Sequence, residues 1–219
     1  MKYRCLVLDH DDTVVNSTAT IHFPCFVEYL HRYRPEVREY TLEEYFQKNF
    51  YPGVVALFCE ELAMGPEECK FEQAYWNQYV KCHVPEAYDG VKEILKKHRD
   101  EGGYICVVSH SYRENILRDY RENGLPEPDL VFGWDDPPEK RKPSTWPLET
   151  IMRTLKLRPD ELLVMDDLKP GCDMANKAGV AFAAAGWSND IKEIEDFMRS
   201  NACWYFKTVA ELKAFLDEA

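Results

Sequence analysis

The chain has 219 residues, 45% hydrophobic and 30% charged, which is enough for one well-packed domain or for one domain that carries a large insertion. Its formal net charge is −12, and a diffuse negative field disfavours binding to nucleic acid or to anionic membranes. No run of about 18 apolar residues predicts a membrane span, and the short apolar run before Asp9 does not have the pattern of a signal peptide. We therefore expect a cytoplasmic protein that binds neither nucleic acid nor membrane.

A short strand and a long helical block are the first elements that the sequence predicts. Cys5–Leu8 (CLVL) is an apolar run typical of a buried parallel strand, and it ends directly at Asp9. Residues 16–86 are rich in aromatic and acidic side chains at helical spacing, without strand-like alternation. The turns Tyr51-Pro52-Gly53 and Met64-Gly65-Pro66 divide this block into several helices. We predict that residues 16–86 form an inserted, all-helical domain.

Strands and helices alternate from Gly90 onward. The predicted strands share short apolar runs and are Tyr104–Val108, Leu130–Phe132, Leu162–Met165, Val180–Ala184 and an edge strand, Trp204–Phe206. The predicted helices have an amphipathic pattern and cover residues 91–99, 112–123, 147–155, a segment that ends at Ala178, and 209–216. This alternation predicts an α/β fold whose Rossmann-like parallel-sheet core is formed by residues 1–15 and 87–219.

Polar side chains follow three of the predicted strands, and one loop adds a lysine. These candidates are Asp9, Asp11, Asp12, Thr13, Ser109, Lys142, Asp166 and Asp167. Because parallel strands end at one rim of a sheet, where ligands bind, we expect these residues to converge. Carboxylates on one rim repel one another, and a hard divalent cation such as Mg²⁺ removes that repulsion. Ser109 can donate a hydrogen bond to a phosphate oxygen and Lys142 supplies a positive charge, so the set suits phosphoryl transfer.

Four motifs, in this order, resemble those of the haloacid dehalogenase-like superfamily. They are LDHDDTVV, VVSHS, KPSTWP and VMDDLKPGCDMANKAG. The helical block resembles the inserted cap of the subgroup that includes phosphoglycolate phosphatase and beta-phosphoglucomutase, and such caps close over a site for small molecules. The resemblance implies a magnesium-dependent phosphatase that hydrolyses a small phosphorylated metabolite.

The resemblance also implies a catalytic role for each motif residue. Asp9 would attack phosphorus and form an aspartyl-phosphate intermediate. Asp11 would protonate the oxygen of the leaving group and then deprotonate the attacking water. Ser109 and Lys142 would hold the phosphoryl group during its transfer.

Magnesium ligands follow from the same resemblance. Asp9, the backbone carbonyl of Asp11 and the carboxylate of Asp167 would bind Mg²⁺, with Asp166 bound directly or through water. The chain departs from the family pattern at Asp12, where glycine is usual. The acid is expected either to alter the turn that leads to the cap or to add negative charge near the metal. It also has Gly171 near the position where some members place a further acid. His10 is interpreted as a spacer between the two key acids.

Other functions use similar residues. A phosphomutase acting on a sugar phosphate would use the same aspartyl-phosphate, and no motif residue separates it from a phosphatase. A catalytically inactive binding protein on this fold is disfavoured by the intact acid–base pair. A signalling receiver domain has its phosphorylated aspartate in mid-chain, and haloacid dehalogenation does not need Asp11. The sequence predicts neither the natural substrate nor the oligomeric state.

Overall fold

The computed structural model describes residues 2–218, which form two compact units. One unit contains the residues up to Asn16 together with those from Glu86 onward, and the other contains Ser17–Pro85. The second unit is therefore an insertion between two segments of the first. Among residues 2–218, no helix combines the length and the apolar character that crossing a bilayer requires.

The unit Ser17–Pro85 is built from helices. They are a π-helical turn at Thr18–His22, α1 (Phe23–Tyr33), α2 (Leu42–Phe50), α3 (Val54–Ala56), a second π-helical turn at Leu57–Glu61, and α4 (Pro66–Cys82). Thr41 begins α2 with a capping box, in which its hydroxyl accepts from the Glu44 backbone N–H and the Glu44 carboxylate accepts from the Thr41 N–H. The helical character predicted for this block is thus set partly by local capping.

An aromatic cluster forms the core of the helical unit. Phe26 and Tyr29 of α1 are buried, and the Phe26 ring lies 4.9 Å from the Tyr45 ring of α2, centroid to centroid. Tyr75 of α4 packs edge-on against Tyr29, with the ring centroids 5.6 Å apart. Burial of each such ring contributes about 2 kcal/mol to folding, so these contacts between helices stabilise the unit.

The other unit is a six-stranded parallel sheet. Its strands are β1 (Cys5–Leu8), β2 (Tyr104–Val108), β3 (Leu130–Phe132), β4 (Leu162–Asp166), β5 (Ala181–Ala185) and β6 (Trp204–Phe206), in the order β3-β2-β1-β4-β5-β6. Its helices are α5 (Val91–Asp100), α6 (Arg113–Glu122), α7 (Trp146–Leu155), α8 (Lys169–Ala178), α9 (Lys192–Asn201) and α10 (Val209–Glu218). The predicted α/β fold, with a Rossmann-like parallel core and an inserted helical domain, is confirmed.

Helix α9 was missing from the elements predicted by sequence. Its buried side chains are Ile194 and Met198, one turn apart among charged neighbours, so its apolar stripe is narrow. Strand β5 is also displaced by one residue from the predicted segment and ends at Ala185. Short apolar runs define where a strand exists better than where it ends.

Strand β1 lies at the centre of the sheet and sets the position of the rim. Its four residues are at most 3% exposed, as expected for a parallel strand covered on both faces. Leu8 is in register with Val107 of β2 and with Met165 of β4. Three adjacent strands therefore end at the same level, and the polar residues that follow them share one edge of the sheet.

Glu72 on α4 is a buried carboxylate, 8% exposed, and it generates a testable pH dependence of stability. Burial raises the pKa of Glu72 to about 7. A raised folded-state pKa means that its contribution to stability is intact below about pH 4.5 and is lost as the pH rises through about 7. We expect Glu72→Gln to have the same free energy of unfolding as the native chain near pH 5. Near pH 8 we expect the variant to be more stable than the native chain by up to about 3 kcal/mol.

Urea unfolding at the two pH values measures this difference. Glu67→Gln is the control, because Glu67 lies on the same helix and is exposed. An equal effect of Glu72→Gln at both pH values would contradict the predicted dependence.

Candidate active site

Three buried carboxylates meet at the carboxyl ends of the central strands. Asp9 follows β1, Asp166 is the last residue of β4, and Asp167 comes next; each is at most 4% exposed. One carboxylate oxygen from each lies within 4.8 Å of the other two. Among residues 2–218, this is the one group of three or more acidic, histidine or cysteine side chains with metal-binding spacing. The structure thus brings together three of the predicted metal ligands.

Burial and mutual repulsion make this cluster electrostatically costly. Burial raises the pKa of Asp166 to about 7, where the attraction of Lys142 opposes the shift and the charge of Asp9 adds to it. Burial likewise raises the pKa of Asp167 well above its ordinary value, and the charges of Asp12 and Asp9 raise it further. Oxygen ligands alone line the cluster, which is the donor set of a hard divalent cation. The residues present therefore fit Mg²⁺.

Lys142 partly neutralises the cluster. It is 4% exposed, and its Nζ lies 2.8 Å from Asp9 Oδ1 and 2.6 Å from Asp166 Oδ2. Burial alone would lower the pKa of Lys142, but the charges of Asp166 and Asp9 outweigh it and raise the pKa, so the side chain is an ammonium ion. The Lys142 carbonyl accepts a hydrogen bond from His110 Nε2 at 3.0 Å, which fixes the loop that carries the lysine. One ammonium faces three carboxylates, so negative charge remains.

Two buried serines follow β2, and one of them was not predicted. Ser111 Oγ donates a hydrogen bond to Asp11 Oδ2 at 2.5 Å, and the Ser111 backbone N–H donates to Ser109 Oγ at 3.1 Å. Asp11 is half-buried and lies outside the group formed by Asp9, Asp166 and Asp167. Ser111 is the second serine of the VVSHS motif, two residues after the predicted Ser109. The structure therefore adds Ser111 as the partner of the predicted acid–base residue.

Asp12, where the family usually has glycine, adopts a left-handed backbone conformation. Its φ is 58°, in the left-handed region where glycine is favoured and aspartate is among the better-tolerated residues. Its N–H donates to the Val15 carbonyl at 2.8 Å and closes a tight turn. The next residue, Thr13, donates from Oγ1 to Asp167 Oδ1 at 3.4 Å. Asp12 therefore adds a buried negative charge to the turn, as expected.

Gly171 in the first turn of α8 is required by Asp166. A Cβ atom on Gly171 would lie 2.0 Å from Asp166 Oδ2, which no side chain could occupy without displacing the carboxylate. Asp166 Oδ1 accepts a hydrogen bond from the Leu168 N–H at 2.8 Å. Both oxygens of Asp166 are thus held between Lys142 and the start of α8. This close approach explains why the further acid of some family members has no place at Gly171.

The sequence and the fold both match known proteins. The family model described as haloacid dehalogenase-like hydrolase matches residues 6–185. Pyrophosphatase PpaX of Halalkalibacterium halodurans is 24% identical over 193 residues, which cover 86% of this chain and 86% of that protein. Pyrophosphatase PpaX of Bacillus thuringiensis strain Al Hakam is 25% identical over 189 residues, which cover 86% and 85% of the two chains.

Solved structures show the same fold. A predicted phosphoglycolate phosphatase from Haemophilus somnus aligns with a TM-score of 0.76 and 18% identity, covering 99% of each chain. CbbY from Rhodobacter sphaeroides, solved in complex with xylulose-1,5-bisphosphate, aligns with a TM-score of 0.76 and 18% identity over 96% of each chain. At these identities the solved structures support the fold, and the family is shown by the match of the family model.

Gly171→Ala tests whether the contact with Asp166 is as close as it is in the structure. We expect the added methyl group to displace the Asp166 carboxylate from Lys142 and to lower hydrolytic activity at least about tenfold, because displacements near 1 Å in an active site cost that much or more. Steady-state kinetics measures this loss. Gly179→Ala is a matched control at the other end of α8, where a Cβ meets no atom within 4 Å and only the left-handed φ is strained. Equal activity in Gly171→Ala and the native chain would contradict the predicted contact.

Proposed function

The chain belongs to the haloacid dehalogenase-like hydrolases. We propose that it is a phosphatase of that family, which hydrolyses a small phosphorylated metabolite with Mg²⁺ as its cofactor. The observation that carries the proposal is the buried Asp9 carboxylate, which is ion-paired with Lys142 and lies beside Asp166 and Asp167. In this proposal the sheet unit is the catalytic core, and the helical unit Ser17–Pro85 is its cap.

Asp9 is the proposed nucleophile. Its Oδ1 lies 2.8 Å from the Lys142 ammonium, an ion pair that holds the side chain in place, and a carboxylate oxygen is the group that attacks phosphorus. A bond forms between a carboxylate oxygen of Asp9 and phosphorus while the bond from phosphorus to the leaving oxygen breaks. Water then attacks the phosphorus of the aspartyl-phosphate. A bond forms from the water oxygen to phosphorus while the bond between phosphorus and the Asp9 oxygen breaks, which releases inorganic phosphate and regenerates the Asp9 carboxylate.

Asp11 is the proposed general acid and base. It gives a proton to the leaving oxygen in the first step and takes one from the attacking water in the second step. The hydroxyl of Ser111 donates to Oδ2 of Asp11, which orients the carboxyl group. Asp11 remains half-buried, as a group that must reach the substrate should.

Ser109 and Lys142 are the proposed binding groups for the phosphoryl oxygens. Ser109 Oγ accepts from the Ser111 N–H, so its own hydrogen can be donated to a phosphoryl oxygen. Lys142 supplies positive charge in a buried site, where an ion pair is screened less than at the surface. Both groups stabilise negative charge that develops as phosphoryl transfer proceeds.

Asp9, Asp167 and the backbone carbonyl of Asp11 are the proposed direct protein ligands of Mg²⁺, and Asp166 lies beside them. When bound, Mg²⁺ neutralises the cluster and withdraws charge from the phosphoryl oxygens. Asp166 is already held by Lys142 and by Leu168, whereas the Asp167 carboxylate is contacted by the weaker donor Thr13. This difference supports Asp167 as the direct ligand and Asp166 as the residue that orients Lys142.

Small phosphorylated molecules are the proposed substrates, and the cytosol is the proposed location. The relatives include proteins named for pyrophosphate, and one solved neighbour holds a sugar bisphosphate. The net charge of −12 supports the absence of nucleic acid and anionic membranes among the partners. Inorganic pyrophosphate, phosphoglycolate and sugar phosphates therefore form the first substrate panel.

Phosphate release from this panel, with and without Mg²⁺, tests the proposed function. We expect metal-dependent release by the native chain and a loss of at least about 10³-fold in Asp9→Asn, because removal of a nucleophile abolishes the covalent step. Asp160→Asn is the control, because Asp160 is an exposed aspartate whose carboxylate pairs with Arg158 at the surface.

Two outcomes of this assay would argue against the proposal. Release that is equal in the native chain and in Asp9→Asn would exclude Asp9 as the nucleophile. No release from any substrate by the folded, Mg²⁺-saturated chain would exclude a general phosphatase and favour a mutase or an inactive binding protein, which a sugar bisphosphate activator would then distinguish.

A further inference from the structure

A buried polar pair lies directly behind the proposed nucleophile. His10, between Asp9 and Asp11, is 1% exposed, and its Nε2 lies 3.0 Å from Oδ2 of Asp119 on α6. Asp119 is itself 3% exposed. Among residues 2–218, the His10 Nδ1 has no hydrogen-bond partner, so Asp119 is the polar contact that holds the ring. The two residues are 109 positions apart, and Asp119 lies outside the four motifs of the sequence analysis.

Asp119 is held rigidly on its other side. Its Oδ1 accepts hydrogen bonds from the guanidinium of Arg118, at 2.8 Å from Nε and 2.7 Å from an Nη. The Asp119 carbonyl accepts from the Asn123 side chain, whose Oδ1 accepts in turn from the Ala87 N–H at 2.8 Å. The end of α6 is thereby tied to the segment at which the chain re-enters the sheet unit. The carboxylate that meets His10 is therefore a fixed anchor.

The backbone of His10 closes the loop that carries the proposed acid–base residue. Its carbonyl accepts hydrogen bonds from the N–H groups of Val14 at 3.0 Å and Val15 at 3.1 Å. The His10 ring also stacks near Tyr120, with the centroids 6.0 Å apart. His10 therefore links α6, through its side chain, to the turn after Asp9, through its carbonyl. Movement of the His10 ring would therefore move the loop from Asp9 to Val15.

Stability alone does not account for this pair. Burying a histidine and a carboxylate costs desolvation free energy, and apolar residues of similar volume are often as stable or more stable at such positions. An apolar residue at position 10 would also pack against Tyr120 without a hydrogen bond to Asp119. The directional contact between His10 and Asp119 adds orientation, which apolar packing does not provide.

We propose that His10 and Asp119 are positioning residues, which hold the loop from Asp9 to Val15 so that the Asp9 and Asp11 carboxylates face the phosphoryl group of the substrate. The effect on rate rests on the proposed phosphatase function, whereas the effect on the loop does not. Neither residue touches the substrate. Their contribution is geometric and depends on the hydrogen bond between them, so an acceptor of the same shape at position 119 should preserve it.

The double variant His10→Phe/Asp119→Leu separates positioning from folding. Phenylalanine keeps the ring against Tyr120, and leucine fills the volume of Asp119. We expect a melting temperature that is at most about 4 °C below that of the native chain, because the double variant loses only the hydrogen bond between positions 10 and 119. We expect kcat to fall at least about tenfold with KM within about threefold, because the reacting groups lose alignment while substrate binding persists.

Amide hydrogen exchange gives a readout that needs no substrate. We expect exchange at Val14 and Val15 to be at least about tenfold faster in the double variant, since these N–H groups donate to the His10 carbonyl. The amides of Cys5–Leu8 in β1 are the internal control and should be unchanged. A native chain that releases no phosphate would remove the proposed function, and the exchange comparison would still decide the inference about the loop.

Conservative replacement provides the second arm. Asp119→Asn retains an oxygen that can accept a hydrogen bond from His10. We expect kcat and amide exchange in this variant to stay within about threefold of the native chain, and we expect Asp119→Ala to lie outside that range. This comparison also serves if the double variant fails to fold. Native exchange at Val14 and Val15 in the folded double variant, or equal effects of Asp119→Asn and Asp119→Ala, would overturn the proposal and leave the pair with a packing role only.

Discussion

Repulsion among three buried carboxylates is the constraint around which the sheet unit is organised. Asp9, Asp166 and Asp167 come from two neighbouring strands and have oxygens within 4.8 Å of one another. Water cannot screen them, because each is at most 4% exposed. Lys142 offsets part of their charge, and its position between Asp9 and Asp166 is fixed by a loop that reaches back to His110. The remaining negative charge supports the proposal that the site binds a cation.

The parallel sheet brings these side chains together at low conformational cost. β1 is the central strand, and its neighbours β2 and β4 end at the same level. Asp9 and Ser109 each come directly after a strand, Asp166 is the last residue of β4, and Asp167 follows it. The backbones of these strands are fixed by hydrogen bonds; the Asp9 N–H, for example, donates to the Met165 carbonyl at 2.8 Å. The helices complete the site locally, since the first turn of α8 packs so closely that only glycine fits beside Asp166. The geometry of the site is a property of the sheet rim more than of any flexible loop.

Sequence patterns predicted the polar residues that follow strands, but they missed the residues that hydrogen-bond to them from other elements. Asp9, Ser109 and Asp166 could be found because short apolar runs mark the strands and because parallel strands end together. Asp119 could not, because a charged residue on an amphipathic helix reads as solvent-exposed, and its contact with His10 spans 109 positions of the chain. Ser111 lay inside a recognised motif, but the direction of its hydroxyl toward Asp11 depends on the turn after β2.

Charge acts on two length scales in this protein. The net charge of −12 is spread over the surface, where salt screens interactions beyond roughly 8 Å at physiological ionic strength. The charge of the site is buried and weakly screened, and Asp12 adds a further buried carboxylate where the family usually has glycine. A phosphorylated substrate is repelled by these carboxylates as long as Lys142 is their main counter-charge. Under the proposed function, neutralising the cluster and attracting the phosphoryl group are therefore one requirement, and we expect a chain with the additional acid at Asp12 to depend more strongly on a bound cation than a chain with glycine there.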